Sequence, residues 1–153
     1  MSRRDQIKMD RAEIRAFLEE QRVVVCATNG HTGWPHLMPL WYLLRGEDLW
    51  AWTYAKSQKV KNLERDPRAT LQVEDGEQYA ELRGVMIESE TQIHRDIELV
   101  TRFGADLFER YGTRSAGEEF LEAVRAQAAK RVALQFVPRR IASWDHRKLG
   151  GVY

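Results

Sequence analysis

Residues 52–75 read WTYAKSQKVKNLERDPRATLQVED, and this stretch decides the fold. It predicts the end of one strand, a short helix over residues 57–66 and a new strand over 68–75. Ser57 suits the N-cap of this helix, and Pro67 ends it. A helix start has unpaired backbone N–H groups and a partial positive charge, so it attracts a phosphate group. Lysines placed there oppose the helix dipole unless an anion compensates, and the stretch therefore favours either an anion site or a solvated basic helix end.

The sequence before this stretch predicts a short helix followed by three strands. Residues 10–20 place apolar side chains at helical spacing. Three apolar runs, at 22–29, 34–44 and 48–55, are separated by short turns, the first of which contains an Asn-Gly pair typical of hairpins. The second run contains two prolines, so we expect it to lie at a sheet edge or to carry a bulge at Pro39. Together the three runs predict an antiparallel meander.

The sequence after this stretch adds one long strand, two helices and further strand-like residues. Residues 78–90 predict a strand, with Gly84 as a bulge or a point of close approach. Helical spacing follows at 97–112 and 118–130, and then two strand-like segments hinged at Pro138. Strands followed by helices indicate an α+β fold, and about six antiparallel strands with flanking helices suit a small barrel.

The composition excludes several classes of protein. The length suits a single domain over residues 1–153, and the net charge of +1 gives no overall attraction to nucleic acid or to a membrane. The single cysteine, Cys26, excludes an internal disulfide and a cysteine cluster for zinc, and we expect no metal site. The sequence has no run near the roughly 18 apolar residues of a membrane helix and no apolar signal core, so we expect a cytoplasmic protein. Motifs of hydrolases and of nucleotide-binding loops are missing.

Tryptophan is concentrated in one part of the chain. Four of the five tryptophans lie between Trp34 and Trp52. Such a cluster either forms core or walls a site for a flat ligand, because aromatic faces stack on aromatic rings. A small barrel fills its own interior with side chains, so a groove for a ring-sized ligand forms more easily between two subunits.

The stretch 52–75 resembles the cofactor-phosphate segment of the pyridoxamine-phosphate-oxidase-like split β-barrel superfamily. The GWPHLMPLWYL sequence also resembles the family's second strand, which runs beneath the isoalloxazine ring. The ending SWDHRKLGGVY is similar to that of the branch that uses the deazaflavin coenzyme F420. The resemblance covers nearly the whole chain, and the residues that fill the phosphate-segment pattern are Ser57, Lys59, Leu63, Asp66 and Pro67.

The resemblance implies a homodimer with a flavin-like cofactor shared between two subunits. In the F420 branch, hydride passes from the reduced deazaflavin to an electron-poor small-molecule substrate. The alternatives are an FMN-dependent oxidoreductase of the same fold, or a non-catalytic protein that binds a flavin, a haem or a tetrapyrrole. Dedicated pyridoxamine phosphate oxidases carry extra basic positions for the substrate phosphate, and these have no counterpart here, which argues against vitamin B6 chemistry.

The resemblance also implies which residues contact the cofactor. Its phosphate would be held by Lys56, Ser57 and Lys59, with Asn62 supporting the loop. Its ring would contact Met38, Pro39, Leu40 and Trp41, and its linker would lie between Trp52 and Thr53. The second subunit would close the site with Trp144, His146 and Lys148, and a polyglutamate tail would favour the basic residues Arg139, Arg140, Arg147 and Lys148.

Three further side chains are candidates for chemistry at the ring. If a proton must be supplied, His36 or Tyr42 is placed to give it, because the two share a predicted strand face. A haem binder would need an axial ligand, for which His36 and His94 are the candidates. His36 is equally suited to a structural role.

Overall fold

The computed structural model describes residues 1–112, 115 and 117–152. The strands are β1 Val24–Asn29, β2 Pro35–Leu40, β3 Leu43–Arg45, β4 Asp48–Tyr54, β5 Arg68–Asp75, β6 Arg83–His94 and β7 Arg131–Asp145. The helices are α1 Arg3–Gln6, α2 Arg11–Glu20, α3 Gln58–Arg65, α4 Ile97–Arg110 and α5 Glu118–Ala128. The strands form one antiparallel sheet with the order β2-β1-β5-β6-β7-β4-β3.

The sheet curls around a single apolar core. Side chains from β1, β4, β5, β6 and β7 meet in one buried cluster, although three strands separate β1 from β4 in the sheet order. Helix α2 adds Phe17 and Leu18 to this cluster and begins at a capping box between Asp10 and Glu13. The predicted α+β split barrel is thus confirmed, with seven strands rather than about six.

Helices α4 and α5 cover the outer face of the barrel. Val100, Phe103 and Leu107 of α4 pack against Trp50 in a second buried cluster. Gly104 lies so close to the Trp52 ring that a Cβ atom there would stand 2.5 Å from it, which explains a glycine inside this helix. None of the helices in the described ranges is both long and apolar enough to cross a bilayer.

The predicted strand at 34–44 is interrupted. Strand β2 ends at Leu40, and β3 begins at Leu43 and pairs with β4 instead of β2. The break lies at Tyr42, whose N–H donates to the Tyr111 hydroxyl at 3.0 Å and whose carbonyl accepts from Arg110. The predicted meander was therefore wrong at this junction, because the side chains of Arg110, at the end of α4, and of Tyr111, just after it, occupy backbone groups that a continuous ladder would need.

Two predictions on the later strands also need correction. Residues 79–81 form a 3-10 turn, and β6 runs instead from Arg83 to His94. The two segments around Pro138 are one long strand, β7, because a bulge leaves Arg139 without a partner on β6 and so admits the proline. Gly84 is a point of close approach and not the bulge, since a Cβ there would overlap the Trp144 ring.

Candidate functional site

Helix α3 closes the seam of the barrel between β1 and β4. The Lys59 ammonium donates to the Thr53 hydroxyl of β4 at 3.0 Å. The Asn62 side-chain amide donates to the Thr28 hydroxyl of β1, also at 3.0 Å. Because β1 and β4 are not neighbours in the sheet, these two buried hydrogen bonds tie together strands that backbone pairing leaves apart.

Lys59 is a buried cation with little compensation. Its side chain is only 4% exposed. Among the described residues the ammonium donates one hydrogen bond, to Thr53, and has no carboxylate within ion-pair distance. Burial lowers the pKa of Lys59, because the charged form loses its hydration. An ammonium has three donors and buried charges are normally paired, so this lysine has unused capacity for an anion.

The neighbouring thiol of Cys26 belongs to the apolar core. Cys26 is fully buried on β1. Burial raises its pKa to about 12, although the charge of Lys59 acts in the opposite direction. A thiol with so high a pKa is protonated at neutral pH, so Cys26 is an inert core side chain and supplies no compensating charge to Lys59.

Asn62 anchors the helix, and both polar atoms of its side chain are hydrogen-bonded. It is fully buried, and its side-chain oxygen accepts from Gln58 at 2.9 Å while its nitrogen donates to Thr28. Thr28 was not among the predicted site residues. The signal for it was present, because alternation along β1 places Thr28 on the same face as the buried Val24 and Cys26.

The start of α3 is basic and contains no acid. Ser57 is the N-cap, and its hydroxyl accepts from the Val60 N–H at 3.4 Å. No acidic residue stands in the first turn. Lys56, just before the cap, is exposed, whereas Lys59, in the first turn, points inward. The three predicted phosphate contacts therefore surround the helix start, with one cation outside the barrel and one inside.

The predicted ring contacts lie on the edge strand β2 and just beyond it. Met38, Pro39 and Trp41 are exposed and Leu40 is half-buried. Trp41 stacks on Tyr111 with the ring centroids 4.2 Å apart. Within the described residues β2 is an edge strand that pairs with β1, and β1 also carries the Thr28 anchor of α3. The ring and phosphate candidates therefore flank the same strand.

The predicted linker contacts do not share a face of the sheet. Thr53 points into the barrel toward Lys59. Trp52, the preceding residue, lies on the outer face, where it meets the edge of Phe108 at 5.8 Å and the guanidinium of Arg131 at 4.8 Å. The structure thus places Thr53, and not Trp52, with the buried polar groups under α3.

The three candidates for ring chemistry differ in their availability. The Nδ1 atom of His36 is buried without a hydrogen-bond partner among the described residues. Tyr42 is fully buried, lies beyond the end of β2 and donates to the Leu18 carbonyl at 2.6 Å, so the expectation that it shares a strand face with His36 was wrong. His94 stacks on Trp50 and its Nε2 hydrogen-bonds Gln135 at 2.8 Å, which leaves His36 as the freer imidazole.

The basic residues expected near a polyglutamate tail all have acidic partners within the chain. The pairs are Arg139–Glu90 at 3.2 Å, Arg140–Glu88 at 3.6 Å, Arg147–Asp145 at 2.7 Å and Lys148–Glu13 at 2.7 Å. His146 hydrogen-bonds the Tyr79 carbonyl through Nδ1, and the Trp144 ring packs over Gly84. These groups have partners within the chain, and their part in closing a second subunit's site stays a prediction.

A seven-stranded antiparallel barrel whose seam is closed by a basic helix after its fourth strand defines the chain as a split β-barrel protein. Residues 11–145 match the family model described as pyridoxamine 5'-phosphate oxidase, and the chain belongs to this family. Among curated proteins no sequence matches the chain.

Solved structures include a relative that is similar in sequence and others that share the fold. A conserved hypothetical protein from Mycobacterium tuberculosis is 40% identical, with a TM-score of 0.90 over 100% of this chain and 95% of that one. An F420 reductase is 23% identical, with a TM-score of 0.67 over 83% of this chain and 94% of its own. A haem storage protein from Vibrio cholerae is 19% identical, with a TM-score of 0.66 over 86% and 92%. The last two likenesses establish the fold alone.

Proposed function

We propose that this protein is an F420-dependent oxidoreductase that transfers hydride from the reduced deazaflavin to an electron-poor small organic substrate. The observation that carries the proposal is the buried ammonium of Lys59 under a helix start that contains no acid. The F420 reductase of the same fold and the C-terminal resemblance to the F420 branch support the choice of cofactor. The chemistry is supplied by the cofactor when it is bound, and the protein provides binding, orientation and exclusion of water.

The residues at the helix start fit an anionic group. An oxyanion there would accept from the backbone N–H groups of the first turn of α3 and from Lys56. Lys59 would reach it by turning its flexible side chain away from Thr53, and this rotation would also relieve the cost of burying its charge. Ser57 would hold the loop through its capping bond, and Asn62 would fix the helix on β1.

The edge strand β2 fits the flat apolar part of the cofactor. Met38 and Trp41 are each 44% exposed. The neighbouring Trp34 and Leu37 are 79% and 57% exposed, so four large exposed apolar side chains lie on β2 or directly beside its ends. A second copy of the chain would cover this surface and complete a shared groove, which is why we include a homodimer in the proposal. Light scattering at micromolar concentration should give the mass of a dimer, and a monomer would contradict the shared site.

Two alternatives use the same fold. FMN offers a phosphate and a similar ring, so the helix start alone does not discriminate against it. A non-catalytic haem or tetrapyrrole binder is favoured by one specific feature, the unpartnered Nδ1 of His36 on β2. An imidazole nitrogen without a partner is available as an axial ligand, whereas the ring of His94 is stacked and hydrogen-bonded.

The test is a fluorescence titration of the purified protein with oxidised and reduced F420, with FMN and with haem. We expect F420 to bind most tightly, and Lys59→Met to weaken it by about tenfold or more through loss of a charge-assisted hydrogen bond. Lys61→Met is the matched control, because Lys61 lies on the same helix but is exposed. Preference for FMN or haem would replace the proposal by the corresponding alternative, and binding of none would overturn it.

A further inference from the structure

A cluster of basic and aromatic side chains lies where β4 ends and β7 begins. The Ala55 N–H donates to the Lys130 carbonyl at 2.9 Å, and Tyr54 is paired with Arg131 across the sheet. Lys56 follows directly and precedes the cap of α3. The turn before β7 and the start of α3 are therefore held side by side, and they place Lys56, Lys130 and Arg131 on one surface, which we call the junction surface.

The cations of the junction surface have no acidic partners. Lys56 and Lys130 are exposed, and neither they nor Arg131 forms a salt bridge to any residue in the described ranges. The basic residues near the chain's end, by contrast, each have a carboxylate within 3.6 Å or less. In a chain with nearly equal numbers of acids and bases, adjacent cations without acids mark a surface that favours an anion.

Arg131 is held in a fixed orientation by its neighbours. Its guanidinium lies 4.3 Å from the centroid of the Tyr54 ring and 4.8 Å from that of Trp52. One of its nitrogens donates to the Gln127 carbonyl at 3.1 Å. A guanidinium has five N–H donors in one plane, and contact with two rings and a carbonyl restrains that plane, so the remaining donors can match the geometry of a carboxylate.

We propose that the junction surface binds a chain of carboxylates that continues from a phosphate group at the start of α3. This assignment rests on the proposed function. The groups that would bind are the γ-carboxylates or α-carboxylates of an oligoglutamate tail. Lys56 serves both groups, because it stands between the helix start and the turn at Lys130. The sequence favours the basic residues of segment 139–148 for this role, but in the structure they form ion pairs within the chain.

The test compares F420 that carries an oligoglutamate tail with F420 that has been trimmed to its phosphate. The double variant Lys130→Gln, Arg131→Gln should bind the tailed form about fivefold more weakly at low salt, and the trimmed form within about twofold of the unaltered protein. The double variant Arg139→Gln, Arg140→Gln is the matched control and should change neither affinity. Arg131→Lys, which keeps the charge but not the planar fork, should recover part of the loss.

The outcomes separate this inference from the proposed function. Failure of the unaltered protein to bind either form would overturn both. Tight binding with an equal loss for the two forms in the first double variant, or a loss in the control variant instead, would overturn the junction surface alone. Thermal unfolding of each variant identifies a fold defect. If the double variant has one, the affinities for tailed and trimmed F420 are compared again with Lys130→Gln alone, which alters a single exposed side chain.

Discussion

Arg110 and Lys59, two cations next to the helices of this barrel, differ in how many acceptors surround them. Arg110, at the end of α4, donates to the carbonyls of Leu18 and Glu19 at 3.1 Å each and of Gln21 at 2.6 Å, and so caps the end of α2. It also donates to the Tyr42 carbonyl and the Tyr111 hydroxyl. Lys59, on α3, donates only to a hydroxyl among the described residues and is more deeply buried.

The difference separates a structural cation from one that has capacity for a ligand. Carbonyl groups at a helix end need donors and carry a partial negative charge, so Arg110 satisfies them and is itself stabilised. Lys59 has no comparable source of negative charge, and its burial is unfavourable until an anion reaches it. Substitution of Arg110 should therefore cost more stability than the same substitution of Lys59, whereas substitution of Lys59 should weaken binding of an anion.

The largest effect is expected from Arg110→Met, which keeps most of the side-chain volume. It would remove every hydrogen bond that Arg110 donates to the α2 carbonyls and to Tyr42, although the tyrosine hydroxyls of Tyr42 and Tyr111 still donate to some of these carbonyls. We expect the free energy of unfolding to fall by about 2–4 kcal/mol. Urea unfolding followed by tryptophan fluorescence measures this loss. Arg102→Met, on the exposed face of the same helix, is the control and should stay within about 0.5 kcal/mol. An equal loss in both variants would remove the structural role of Arg110.

The region around Lys59 was predictable from local sequence, whereas that around Arg110 was not. Predicted boundaries of 57–66 and 68–75 compare with Gln58–Arg65 and Arg68–Asp75 in the structure. The cap at Ser57 and the proline after Asp66 act within a few residues, so the sequence shows them directly. The break at Tyr42 depends on Arg110 and Tyr111, 68 and 69 residues away, and no local pattern reports such contacts.

The candidate site was predictable in its residues but not in their orientation. Helical spacing places Lys59 beside Val60 and Leu63, which are buried. A lysine with two other lysines nearby in sequence is, however, expected to be exposed to solvent. Whether a buried lysine has a carboxylate beside it depends on which strands the fold packs against it. In this barrel the groups that face Lys59 are Thr53 and Cys26, a hydroxyl and a thiol from two separate strands.

A smaller change in stability is expected from Lys59→Met than from Arg110→Met. The variant removes a buried charge and leaves the Thr53 hydroxyl without its donor, so the two contributions oppose each other and the free energy of unfolding should change by no more than about 1 kcal/mol. The measurement is the same urea unfolding, with Lys61→Met as the exposed control on α3. A loss as large as that of Arg110→Met would show that Lys59 is a structural cation after all and would end the contrast between the two regions.

The most sensitive comparison is the dependence of stability on pH. Burial lowers the pKa of Lys59 in the folded chain below the ordinary lysine value of 10.5. Between the lowered pKa and 10.5 the unfolded chain holds the proton that the folded chain has released, so the free energy of unfolding contributed by Lys59 rises with pH. Below that window both states are protonated, and the folded state carries the full cost of the buried charge.

The slope is measured as the difference in unfolding free energy between the unaltered chain and Lys59→Met from pH 7 to pH 10. This difference should grow in favour of the unaltered chain as pH rises. Burial also raises the pKa of the Cys26 thiol from its ordinary value of 9.0 to about 12, so this thiol lowers the stability of both chains above pH 9.0. Because both chains contain it, this contribution largely cancels in the difference. Saturating F420 should flatten the rise, because an anion on Lys59 holds its proton in the folded state. A difference that is flat without ligand would mean that the ammonium is already compensated, and it would contradict an anion site at the start of α3.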